Sequence, residues 1–238
     1  MAGLYKRTHK FKILACLAFF LAIYSAIVFS LVPWTASIFG RVPLPVFASQ
    51  DAPINPVNYL YCLLARNYVR PEVKSLLIDI ARQMNAKYPG STLVYYDANF
   101  PFFNGFPLLP HLSHKDGKKA DLGFFYQNKS TGQPLGSPPS PIGYWVYEQP
   151  SDQEIQPCKN RKSQLRWDLD FIQPLFDQAA MDKKRTAYLL KLLAESHQVR
   201  KILLEPHLKA RLGMQFDKIR FQGCRAARHD DHIHVQVR

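Results

Sequence analysis

The sequence predicts an α+β domain, a small central antiparallel sheet flanked by helices, carried behind an N-terminal transmembrane helix. Three observations predict it. Residues 13–32 are an uncharged apolar run behind a basic N-terminus. Stretches of helical periodicity then alternate with short β-rich runs. Last, the chain ends on Ile233-His234-Val235-Gln236-Val237, an alternation expected of a strand packed centrally in the sheet.

The first twelve residues supply Lys6, Arg7, Lys10 and Lys12 and no acid. The apolar run that follows, at about 1.5 Å per residue, matches a hydrocarbon core roughly 30 Å thick. Its basic flank predicts an N-terminus in the cytoplasm and the remainder across the membrane. The expectation is a basic tail over 1–12 and a signal anchor over 13–33, closing at Pro33-Trp34. A cleaved signal peptide is the competing reading. Against it, the run exceeds the usual apolar core of about 7–15 residues, and no small-x-small site closes it. Residues 34–58, with Pro43, Pro45, Pro53 and Pro56, read as a stalk, so the domain is expected over 59–238.

Within the domain, Pro71 and Glu72 open a helix whose stripe is Val73, Leu76, Leu77, Ile80 and Met84, stopped by Pro89-Gly90. Ser91 to Tyr96 and Leu122 to Tyr126 read as strands, joined by an aromatic, turn-rich segment. Residues 128–162 form a Pro- and Gly-rich excursion, with Tyr144 to Tyr147 as an ordered wall inside it. A helix is expected over 168–180, with Phe171, Ile172, Leu175 and Phe176 inward. Asp182 caps the next helix, which runs to about Glu195. Val199 to Leu204 is a strand, and Glu205-Pro206 starts a short helix.

A chain 47% hydrophobic and 13% aromatic is not disordered. Of 31 basic residues, removing the four in the N-terminal tail leaves 27 against 18 acidic, a net of +9. That excess suits an anionic partner. No RRM, zinc-finger or helix-turn-helix pattern accompanies it, so nucleic acid is not expected. Cys16, Cys62, Cys158 and Cys224 include no C-x-x-C pair, which argues against a cysteine zinc site. Beyond Cys16, one disulfide can form, in any of three pairings.

His229, His232 and His234 crowd the last ten residues. On a strand His232 and His234 share a face, placing two imidazoles for a metal, although such pairs are more often surface or core histidines. A second cluster lies upstream, where His114 and Asp121 stand seven apart. An odd spacing opposes them on one straight strand, so they converge only if the chain turns, and Asp116-Gly117 supplies the turn. His114, Asp121, His232 and His234 together have the composition of a catalytic zinc site.

Ser113-His114-Lys115-Asp116-Gly117-Lys118-Lys119-Ala120-Asp121 fits S-H-x-x-G-x-x-A-D, and His229-Asp230-Asp231-His232-Ile233-His234 fits H-x-x-H-x-H. Both motifs resemble those of the LAS metallopeptidases (lysostaphin, D-Ala-D-Ala peptidases and the sonic hedgehog domain), most closely the penicillin-insensitive murein endopeptidases. Trp167-Asp168 and Lys201 to Leu212 are similar in order and character. The N-terminal anchor and the 128–162 excursion are departures.

The resemblance implies the LAS/hedgehog-type fold and Zn2+ held by His114, Asp121 and His234. It makes His232 the catalytic base or transition-state stabiliser and His229 its partner, where the dipeptidases carry a glutamate. His111, Ser113, Asp230 and Asp231 fall around the substrate or behind these groups; either aspartate could orient an imidazole. The implied activity is hydrolysis of peptidoglycan cross-links, at the D-Ala to meso-diaminopimelate bond, from a periplasmic domain anchored in the inner membrane or secreted after cleavage. A D,D-carboxypeptidase or dipeptidase, or a zinc-containing wall-binding module, are the rivals.

Overall fold

The computed structural model describes residues 2–109, 112–143, 148–159, 170–176 and 178–238. It opens on a continuous helical rod: α1 (Ala2–Ala26), a π-helical turn (Ile27–Leu31) and α2 (Val32–Ile38). His9–Ile38 is long and apolar enough to cross a membrane, and its length and composition fit a signal sequence equally. The sequence puts the end of the span at Pro33, yet the helix runs on. A proline lacks an N–H and its ring crowds the carbonyl four residues back. The wider π turn sits immediately before Pro33 and relieves that crowding. Hydroxyls take up local carbonyls, Ser30 at Ala26 and Thr35 at Leu31 (3.0 Å).

The segment expected as a stalk is partly folded onto the domain. Strand β1 (Val42–Pro43) and strand β2 (Ile54–Pro56) lie within it, followed by α3 (Leu60–Leu63) and β3 (Tyr68–Val69). β1 pairs with β3, and Leu44 and Ile54 are buried. The prolines there mark edge strands, the place in a sheet where a missing N–H is tolerated.

Helix α4 (Pro71–Lys87) starts on its proline and buries the expected stripe of Val73, Leu76, Leu77, Ile80 and Met84. Strands β4 (Leu93–Tyr95), β5 (Lys119–Gly123), β6 (Tyr126–Asn128) and β7 (Ala179–Met181) follow. α5 (Lys183–Glu195) is capped by Asp182, whose carboxylate accepts from the Arg185 amide. β8 (Val199–Leu203), α6 (Pro206–Arg211), β9 (Ile219–Arg220) and β10 (His232–Val237) complete the chain.

The main sheet has the order β2-β4-β5-β10-β8-β9. It is mixed: β4, β5, β10 and β8 run antiparallel, while β2 and β9 add parallel edges. The C-terminal strand is central, as its pattern requires, with Ile233, Val235 and Val237 in the core. β6 and β7 form a separate pair.

Over 168–180 the helix type and its inward face both change, Ala179 and Ala180 belong to β7 instead, and the side chains of Ile172 and Phe176 are not among those described. The start at Asp168 lies outside the described residues. Asp170–Phe176 is a 3-10 helix with Pro174 inside it, and Phe171 and Leu175 are 78% and 80% exposed. Without the proline's N–H the segment tightens to three residues per turn, so positions four apart no longer share an inward face.

Within the described residues of 128–162, the excursion lies against the domain. Tyr96 donates to the Ser140 carbonyl (3.1 Å), and Arg211 holds Glu154 (2.7 Å). A disulfide joins Cys158 to Cys224, leaving Cys62 buried as a thiol. Tyr144 to Tyr147 lie outside the described residues.

Candidate metal centre

β5 and β10 are antiparallel neighbours in which Asp121 stands directly opposite His234. Opposed residues in such a pair point to one face, so the register alone brings the carboxylate and the imidazole together. His234 Nδ1 lies 2.8 Å from Asp121 Oδ1.

His114 reaches the same point from the turn before β5. Asp116 builds that turn by accepting from the Lys118 amide (3.0 Å) and the Lys119 ammonium (2.6 Å). Gly117 reverses the chain at φ +80°, where a Cβ would stand 2.9 Å from Arg41 Nε. Its amide donates to Asn99 Oδ1 (3.1 Å), and Asn99 Nδ2 bonds the Tyr68 and Lys119 carbonyls, which ties the turn to the sheet.

At the tip, His114 Nδ1 donates to the Ala98 carbonyl, so in the neutral ring Nε2 carries the lone pair. Nε2 lies 3.0 Å from His234 Nδ1 and 3.3 Å from Asp121 Oδ1. Burial opposes the His114 imidazolium, but the Asp121 carboxylate outweighs it and raises the pKa above the ordinary histidine value.

All three side chains are buried, and their donor atoms lie close enough to share one ion. Tetrahedral ligands about 2.0–2.2 Å from a metal are roughly 3.3–3.6 Å apart, so this triangle, with edges of 2.8, 3.0 and 3.3 Å, has to open by a few tenths of an ångström to hold one. Two imidazole nitrogens and a carboxylate oxygen suit several transition metals.

His232 stays beside this group. Its Nε2 is 3.9 Å from Asp121 Oδ1, and its Nδ1 is bonded to Asp231 Oδ1 at 2.6 Å. Burial opposes the imidazolium, yet Asp231 and then Asp121 prevail and push it up to about 9. The Gly143 backbone also bonds His232, which brings the excursion into the site.

The two aspartates therefore separate. Asp231 grips His232, whereas Asp230 binds Arg228 (2.6 Å) and its carbonyl accepts from the Glu148 amide (2.7 Å). The His229 ring is 5.2 Å from that of His232 and 5.8 Å from that of His234. Ser113 is exposed on a cleft of about 160 Å³ shared with Leu112, His114, His229, His232 and His234. His111 lies outside the described residues.

Sequence reasoning missed Ala98, Asn99 and Tyr96, whose ring meets His232 edge-on at 6.4 Å. The strand ending at Tyr96 was visible, but no spacing linked the residues after it to His114.

Fold and site thus define a mixed α/β protein with a buried His–Asp–His group able to bind a metal ion. No protein-family model matches the chain, and no curated protein matches it.

Proposed function

We propose that this chain is a zinc peptidase that hydrolyses peptide cross-links in peptidoglycan, held in the inner membrane with its domain in the periplasm. One observation carries the reading. The two histidine motifs, more than a hundred residues apart, meet on one sheet face as a three-donor group with a separate His232–Asp231 pair beside it. A structural metal site gains nothing from that fourth, differently held imidazole.

The chemistry supplied by a zinc ion held there is polarisation of a scissile carbonyl and acidification of a water. His114, Asp121 and His234 would hold and orient it. Asp231 fixes the Nδ1 side of His232, so Nε2 is the atom that faces the group and moves a proton, finally to the leaving amine. His229 sits against both rings and would restrict how His232 turns. The cleft carrying Ser113 and Leu112 is the way in for a peptide.

The location draws on the apolar helix, its basic N-terminal flank and the Cys158–Cys224 disulfide, which suits an oxidising compartment. The net of +9 outside the tail suits an anionic wall polymer. The test is incubation of the purified protein with monomeric and dimeric muropeptides. Loss of dimers without release of terminal D-alanine is the expected result. Release of D-alanine with dimers intact would instead support a carboxypeptidase.

A further inference from the structure

The N-terminal helix does not stand clear of the domain. Tyr24 donates its hydroxyl to the Leu63 carbonyl in α3 (3.0 Å), Val28 and Ala36 are buried, and Phe39 packs on Phe102 at 5.6 Å. Tyr24, Val28, Val32 and Ala36 recur every four residues, so one stripe of the rod lies against the domain from Tyr24 onward.

That contact sets a depth. The last charged residue before the apolar run is Lys12. From Lys12 to Tyr24 a helix rises about 18 Å. A hydrocarbon core is about 30 Å thick, so with Lys12 at one interface, Tyr24 and Leu63 stand about 12 Å inside the other. Tilting the helix shortens its reach and only increases that depth.

The side chains at this level are ones that lipid accepts. Tyr59, Leu60 and Leu64 are each more than half exposed, and the Phe47 ring, 70% exposed, lies against Tyr59 at 5.5 Å. Between Arg41 and Arg66 the only charged residue is Asp51, in a chain that is 21% charged. Asp51 is held elsewhere, its carbonyl accepting from Arg82 on α4 (2.6 Å). Between rod and domain runs a crevice of about 250 Å³, lined mostly by apolar side chains such as Val28, Phe29, Leu44 and Val46, with Asn67, Tyr68 and Lys74 as the polar part of its wall among the described residues. An acyl chain fits such walls, and a lysine there can extend its ammonium toward headgroup phosphates.

We propose that the α3 face, with Phe47, Tyr59, Leu60 and Leu64, is immersed in the bilayer leaflet nearer the domain. The domain is then seated in the membrane surface at a fixed height. This rests on the helix being a retained span. The test uses the full chain in phosphatidylglycerol–phosphatidylethanolamine vesicles, in a Cys16→Ser background. An environment-sensitive dye is placed at Leu64→Cys, with Leu17→Cys in the rod and Lys191→Cys on the exposed face of α5 as references. Lipids bearing acyl-chain nitroxides are expected to quench the dye at 64 and 17 several-fold more than at 191. Quenching at 17 with position 64 matching 191 overturns the immersed face and leaves the span. Absence of quenching at 17 overturns the span, and the immersed face with it.

Discussion

His114 offers one nitrogen to the backbone and the other to Asp121 and His234, so removing its ring takes away a donor and the orientation of the rest. We predict that His114→Ala weakens zinc binding by at least about 100-fold, since one of three protein ligands is lost; competitive titration against a chromophoric chelator measures it. His232→Ala should behave differently. It keeps stoichiometric zinc while turnover falls by about 10²–10⁴, the range for a lost general acid–base. Equal loss of metal in both variants would make His232 a ligand instead. The proton also competes for the site, because a ligating imidazole must be neutral at the bonding nitrogen. His114 in the metal-free protein is raised above the ordinary histidine value. Zinc should therefore bind more tightly as pH rises from 6 to 8, by up to about tenfold per unit for each proton displaced. A flat pH dependence would show that no such proton is released.

At the scale of elements, the turn over Asp116-Gly117 is what makes an odd spacing workable. Gly117→Val places a β-branched residue at φ +80° against Arg41 and Arg70. We expect a loss of about 1–3 kcal/mol, read in a thermal melt, with Gly117→Asn milder because asparagine tolerates the left-handed region. That turn was legible in the sequence, as were α4, the Asp182 cap and the terminal strand, because each is written in local periodicity or cap chemistry. The register was not. Nothing within β5 or β10 says that Asp121 faces His234, since pairing is settled by how both strands bury their apolar sides. Prolines misled in two opposite ways. Around β1 and β2 they mark sheet edges where a stalk was expected, and Pro174 turns an expected α-helix into a 3-10 segment with Phe171 and Leu175 outward. The choice between Asp230 and Asp231 also depended on side-chain direction: Arg228, only two residues away, occupies the first and leaves the second for His232.

For the molecule as a whole, the Cys158–Cys224 bridge closes a 66-residue separation that reaches from the excursion to the stretch before the site. On loop-closure entropy a bridge of that span is worth about 4 kcal/mol, so reduction should lower the melting temperature of the purified protein markedly. An unchanged melt would mean the excursion is held by contacts such as Arg211–Glu154 alone. In the proposed function, a motif leading into the mid-chain strand β5 and a motif on the terminal strand β10 converge to make one hydrolytic centre. Its most direct test is chromatography of cross-linked muropeptides after digestion by the full chain, run with zinc, with chelator, and with zinc restored. Conversion of dimers to monomers is expected with zinc, with its loss under chelator and its return on restoration. Dimers that persist with zinc bound, or that disappear equally with chelator present, would contradict it.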